Sequence, residues 1–176
     1  MKKYLLLFLL LPCLAYSQHG VVTILKDLNS IELCHGTMGF RDSSRVINVE
    51  ASTWTHITNQ WNTLFETLQT GAKNVTKDLD KLIISKNGVY HCDFRVSIST
   101  ANDKDFNLSV AKNTVSNLCG CIKFETKSTV ATYSSFGEII ITDAPDTVFA
   151  VMKNNDDATD PTVYCGAVRI YRVRPQ

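Results

Sequence analysis

An excess of charge of either sign is the clearest absence in this chain: 18 Lys and Arg face 17 Asp and Glu across 176 residues. With Lys2 and Lys3 set aside as part of a leader, 16 basic residues face 17 acidic ones, a net charge near −1. No long-range field then draws the protein to nucleic acid or to an anionic membrane. Past residue 17 no apolar run approaches the roughly 20 residues a spanning helix needs, so no stable membrane insertion is expected. Internal repeats, collagen-like glycine triplets and coiled-coil heptads are missing as well, which leaves any oligomerisation to the domain itself. Catalytic signatures are equally scarce. The chain has no Gly-x-Ser-x-Gly elbow, no Cys and His in a recognisable pairing, and no carboxylate pair set across a cleft.

The N-terminus carries processing signals. Lys2 and Lys3, the apolar run Tyr4 to Leu14 and the small-x-small triplet Ala15-Tyr16-Ser17 read as a secretory signal over residues 1–17, which implies a secreted, cell-surface or periplasmic protein. Lipidation at Cys13 is the rival reading, opposed by Pro12 where such signals want a small flexible residue. Cleavage after Ser17 leaves Cys34, Cys92, Cys119, Cys121 and Cys165, an odd count for an exported chain. Cys92, between Tyr90 and Phe94, reads as a buried hydrophobe. Cys119 and Cys121 project from one side if their segment is a regular strand, and a direct bond between them would be strained.

What is present is strand pattern. In the stretch from Leu82 to Thr100 a short apolar run breaks at Lys86-Asn87-Gly88, and a long alternating strand follows. Tyr90, Cys92, Phe94, Val96 and Ile98 share one face, with His91, Asp93, Arg95 and Ser97 on the other. The Asn-Gly step predicts a hairpin or a bulged corner there. Further strands follow around Phe106 to Val110, Cys119 to Phe124, Ser135 to Ile141, Thr147 to Met152 and Thr162 to Val173, separated by polar turns. Short strands at this spacing predict an all-β, two-sheet antiparallel sandwich or jelly roll. Residues 18–48 read as a strand-containing extension and 49–176 as the sandwich domain. Trp61, Leu64, Phe65 and Leu68 fall at helical spacing, and the helix or strand state of 61–68 stays open. Along the last strand Tyr164, Gly166, Val168 and Ile170 form one row and Cys165, Ala167, Arg169 and Tyr171 the other. Apolar residues on both faces predict a central strand whose second face meets another subunit.

Gly88-Val89-Tyr90 with Phe94, the run from Ser135 to Asn154 and the closing Tyr164 to Val173 resemble the C1q-like and tumour-necrosis-factor-like jelly rolls, over roughly Val49 to Val173. Ala144-Pro145-Asp146 stands where such domains have a Gly-Asp turn, so only Asp146 matches. The resemblance implies a jelly roll of about ten strands and a compact homotrimer. It places the sheet with the long strand and the last strand toward the three-fold axis. The implied interface residues are His91, Asp93, Arg95, Cys165, Ala167, Arg169 and Tyr171. The chain also resembles stand-alone copies of this domain in bacteria and phage virions, where it serves as a fibre tip or binding head.

Candidate chemistry is sparse. Asp156, Asp157 and Asp160 gather oxygen ligands before the last strand and form a calcium candidate, against the simpler reading of an acidic solvated turn. Otherwise no cofactor is expected. Cys34-His35 and Cys119-Gly120-Cys121 lack the two-residue gap usual for zinc ligands. Tyr133, Phe136 and Trp61 are candidates for a glycan groove, although isolated aromatics are usually core. Asn74-Val75-Thr76 and Asn107-Leu108-Ser109 match glycosylation acceptors. The expected function is a secreted, non-enzymatic trimeric module that binds a protein or glycan through loops 100–106, 125–134 and 154–161. The alternative is a virion or cell-surface decoration without a specific ligand.

Overall fold

The computed structural model describes residues 34–40, 44–58, 67–68, 72–101, 103–157 and 159–175. The leader, Cys13, His19, the start of the extension, Trp61 and the ambiguous stretch 61–66 lie outside them. Among the described residues there are twelve strands, numbered here in chain order, and no helix. One sheet runs β10 (Ala131–Ile141), β7 (Gly88–Ser99), β12 (Thr162–Arg174), β1 (His35–Phe40) and β4 (Thr67–Leu68), with β2 (Arg45–Val46) also on β12. The other runs β5 (Val75–Asp78), β6 (Lys81–Ile84), β11 (Asp146–Asn154), β8 (Lys104–Lys112) and β9 (Leu118–Thr126), with β3 (Thr55–His56) on β11. This is the two-sheet antiparallel jelly roll expected from the strand pattern. The count exceeds ten because β2, β3 and β4 are two-residue strands too short to show a period.

The core follows the alternation. Tyr90, Cys92, Phe94, Val96 and Ile98 point inward and are almost fully buried, and they meet Phe106, Leu108, Val110, Val148, Ala150 and Met152 from the opposite sheet. Each valine, leucine, isoleucine, phenylalanine or methionine among them contributes roughly 1.5–3 kcal/mol on leaving water. The break at Lys86-Asn87-Gly88 is a corner between sheets and not a hairpin: β6 pairs β5 and β11, whereas β7 pairs β10 and β12. Gly88 has φ +155 there. Tyr90 ties the corner down by donating its hydroxyl to the Lys86 carbonyl at 2.7 Å, and Asn87 Oδ1 accepts from the Ala144 N–H at 2.9 Å.

One reading of the N-terminal half changes. β1 pairs β12 over six rungs from His35↔Tyr171 to Phe40↔Gly166, so the sandwich begins before residue 49 and takes in part of the expected extension. The alternation of β1, with Met38 and Phe40 buried, was hidden by the glycines at 36 and 39. As predicted, β12 is central in its sheet, held between β7 and β1.

On the outer face of the second sheet, Ala111, Phe149 and Val151 form a satellite cluster with Trp54 and Leu118 packed against it. His56 lies on Phe149 with ring centroids 4.6 Å apart, and its Nε2 is 3.2 Å from the Asp80 carbonyl. Burial holds the imidazole below its ordinary pKa, despite the opposing pull of the Asp80 carbonyl. A depressed histidine binds its proton more readily in the unfolded chain. Stability is therefore full above the ordinary imidazole range near 6.5 and falls as pH drops through it. Denaturant titrations between about pH 7.5 and 5 should show a loss of up to about 1.4 kcal/mol per pH unit, absent in His56→Gln. An identical slope in the variant would remove His56 as the cause.

Candidate functional site

The outer face of the β10–β7–β12–β1 sheet is the most distinctive surface. Its rungs are set by register: Cys165↔Ser97, Ala167↔Arg95, Arg169↔Asp93 and Tyr171↔His91 are opposite pairs. The structure thus brings all seven residues expected at the interface onto one continuous face. His91 sits between Tyr171, 5.0 Å away, and Phe136, 6.3 Å away and stacked at 20°. Arg95 Nε lies 3.7 Å from Asp93 Oδ2, and the Cys165 thiol donates to Ser97 Oγ at 3.2 Å. Beside this pair runs a cleft of about 470 Å³ lined in part by Arg95, Thr132, Cys165 and Ala167.

The same face holds two apolar residues that were not expected at the interface, Phe136 and Ile140. Phe136 is 65% exposed and Ile140 51%, beside Tyr171 at 45%. In β10 the odd positions Tyr133, Ser135, Ile139 and Ile141 turn inward, so Phe136 and Ile140 turn out. That parity was available in the sequence. It also corrects the proposed glycan groove: Tyr133 packs on Phe124 at 4.0 Å and donates to the Glu125 carbonyl at 2.8 Å, on the side away from Phe136.

The loops expected to carry specificity are shorter than anticipated, because β8 begins at Lys104 and β9 and β10 extend to Thr126 and from Ala131. What remains is 100–103, 127–130 and 155–161, tied together at one end of the sandwich. Thr100 N–H donates to the Lys127 carbonyl at 3.1 Å, and the Thr100 and Thr126 hydroxyls are 2.7 Å apart. Asn155 N–H donates to the Asp105 carbonyl at 2.8 Å.

The aspartates of this end serve protein donors in three directions. Asp156 Oδ2 accepts from the Asp105 N–H at 2.8 Å, Asp160 Oδ1 from the Val49 N–H at 2.9 Å, and Asp157 binds Lys104 Nζ at 2.6 Å and the Thr159 N–H at 2.8 Å. The Lys104 ammonium and then the Thr159 donors hold the Asp157 carboxyl far below the usual carboxylate range. Among the described residues no group of three or more His, Cys, Asp or Glu side chains is set to hold a metal. Each of these carboxylates is engaged by protein donors.

Cysteine placement departs from the sequence reading at one point. Cys119 is buried and Cys121 exposed, on opposite sides of β9. The register steps from Ser109↔Cys121 to Val110↔Cys119, leaving Gly120 as an extra bulged residue at φ +62. A bulge inverts the facing of everything beyond it. A second bulge at Tyr164 does the same in β12: Val163 is buried, and Tyr164 leaves the inner row so that its hydroxyl sits 3.2 Å from Ser99 Oγ. Cys34 is buried with its thiol 3.4 Å from the Asn74 carbonyl, while His35 alternates to the other face of β1, so the two do not converge. Of the glycosylation acceptors, Asn107 is paired amide to amide with Asn155 at 3.2 and 3.4 Å.

No known family's sequence profile matches the chain, and no curated protein does. Solved structures do match. The globular domain of zebrafish complement 1qA protein aligns at a TM-score of 0.52 with 10% identity, over 81% of this chain and 99% of that one. Murine APRIL at pH 5.0 aligns at 0.50 with 10% identity, over 79% and 99%. Eiger TNF from S. frugiperda aligns at 0.50 with 8% identity, over 82% and 95%. The chain therefore carries the C1q- and tumour-necrosis-factor-like jelly-roll fold. At these identities the likeness is one of fold, since function lives in sites grafted onto folds.

Proposed function

We propose that this chain is a secreted or cell-surface, non-enzymatic binding module. It assembles as a homotrimer through the outer face of the β10–β7–β12–β1 sheet and offers its 100–103, 127–130 and 155–161 loops to a protein or glycan. The observation that carries the reading is the aromatic and aliphatic patch of Phe136, Ile140 and Tyr171 around His91, on a sheet face that the described chain leaves uncovered. Contiguous apolar surface of this kind marks an interaction site. A second copy is the economical cover, because cyclic assembly buries the same patch on every subunit and closes without loose ends. Charges of both signs, Asp93 beside Arg95 and opposite Arg169, rim the patch and supply register between copies. Support for export comes from the leader, and no helix among the described residues is long and apolar enough to cross a membrane.

The ligand half of the proposal is tested by glycan and protein arrays probed with the mature chain. Saturable binding is expected, weakened about tenfold or more by Lys127→Glu or Asp103→Lys at exposed loop positions. Binding indifferent to both variants would move the site elsewhere. Absence of saturable binding on every array would favour a decoration role, with assembly intact and loops that recognise nothing.

A further inference from the structure

The five described cysteines are all in the thiol form, and two of them adjoin across the open edge of the sandwich. Cys92 on β7 lies directly opposite Gly137 on β10, so both face the interior at the same rung. Opposite residues in an antiparallel pair set their Cβ positions roughly 4.5–5.5 Å apart. A Cβ on Gly137 would stand 2.8 Å from the sulfur of Cys119, which reaches over from β9 of the other sheet. The Cys119 sulfur thus fills the space that glycine leaves beside Cys92, and both thiols belong to the same buried cluster. The remaining sulfurs are engaged elsewhere or point out: Cys34 toward the Asn74 carbonyl, Cys165 toward Ser97 Oγ, and Cys121 into solvent.

We infer that Cys92 and Cys119 form a dithiol that oxidises in the folded protein to a disulfide clamping β9, the edge strand of one sheet, to β7, the neighbour of edge strand β10 in the other. The two cysteines differ in access. Cys92 is fully buried, whereas Cys119 lines a cleft of about 230 Å³ with Lys112, Asn117 and Glu138 at its rim. Hydrogen bonding with the neighbouring thiol, and then burial, push the Cys92 thiol well up, while the same contact lowers Cys119. Cys119 is accordingly the attacking thiolate and Cys92 the resolving thiol.

The oxidant is a small disulfide. Cys119 Sγ attacks one of its sulfurs, forming a mixed disulfide and expelling a thiolate that takes up a proton. Cys92 then releases its proton to solvent and attacks Cys119 Sγ, expelling the second thiol. Two protein thiols are oxidised and one disulfide is reduced to two thiols.

The reduced full-length protein, held under native conditions with cystamine, is quenched in acid, alkylated and digested with trypsin without reduction. The expected product joins the peptide 87–95 to the peptide 113–123. Because the second peptide also contains Cys121, the decisive protein is Cys121→Ser, altered at an exposed position. The link should persist in Cys121→Ser and vanish in Cys119→Ser, and the oxidised protein should melt on the order of 5 °C or more above the reduced one. A link that is lost in Cys121→Ser, or that forms only in guanidinium, would overturn the assignment. So would full alkylation of Cys92 and Cys119 after native oxidation. An oxidised protein that melts below the reduced one would refute the clamp.

Discussion

Gly120→Ala is expected to lower stability on the order of 3 kcal/mol, a large share of the total that holds a domain of this size. Two effects add. Gly120 has φ +62, where a side chain costs about 1–2 kcal/mol. Its Cβ would also come within 1.9 Å of the Phe136 carbonyl oxygen, a backbone atom that cannot move without pulling β10 out of register with β7. Overpacking of this kind costs roughly 1–3 kcal/mol. The bulge is held from both sides, because the hydroxyls of Ser109 and Ser135 donate to the Gly120 carbonyl at 2.8 and 2.6 Å. Equilibrium denaturation measures the loss. Gly39→Ala, whose Cβ would lie 3.2 Å from the Gly166 carbonyl oxygen, serves as the milder comparison. Equal, small losses in both variants would show that the β9–β10 pinch is soft.

Phe136→Glu and Tyr171→Glu should each convert the assembled protein to single copies. These residues flank His91 and are the largest apolar side chains exposed on the outer face of their sheet. Anchors of this type carry at least about 2 kcal/mol each, which is near thirtyfold in a dissociation constant, and a carboxylate buried without a partner adds to the loss. Sedimentation velocity reads the outcome directly. Leu79→Glu, exposed at the turn between β5 and β6, should leave the mass unchanged. If the two face variants keep the mass of the parent protein, the face is not where copies meet, although the fold would stand.

Legibility followed the physics of alternation. The long period in β7 marked its inner row residue by residue, because every second side chain there is large and apolar. The central position of β12 was readable for a related reason: apolar residues on both of its faces have to be covered from both sides. The candidate interface was legible in β7 and β12 but only half complete. Phe136 and Ile140 join it from a strand whose parity was readable yet whose neighbour in the sheet was not. The facing of Cys119 and Cys121 was misread because one inserted residue reverses a period of two without any change in composition.

By itself the sequence determined the fold class and the inward row of the long strand. Those are consequences of local pattern, which neighbouring residues encode together. Only the tertiary structure decided that β1 belongs to the sandwich, that the three aspartates are engaged by protein donors, and that Cys92 adjoins Cys119. Each depends on residues far apart in the chain meeting at one rung or one edge, and strand pairing across the sandwich is set by bulges and by the total packing of the core.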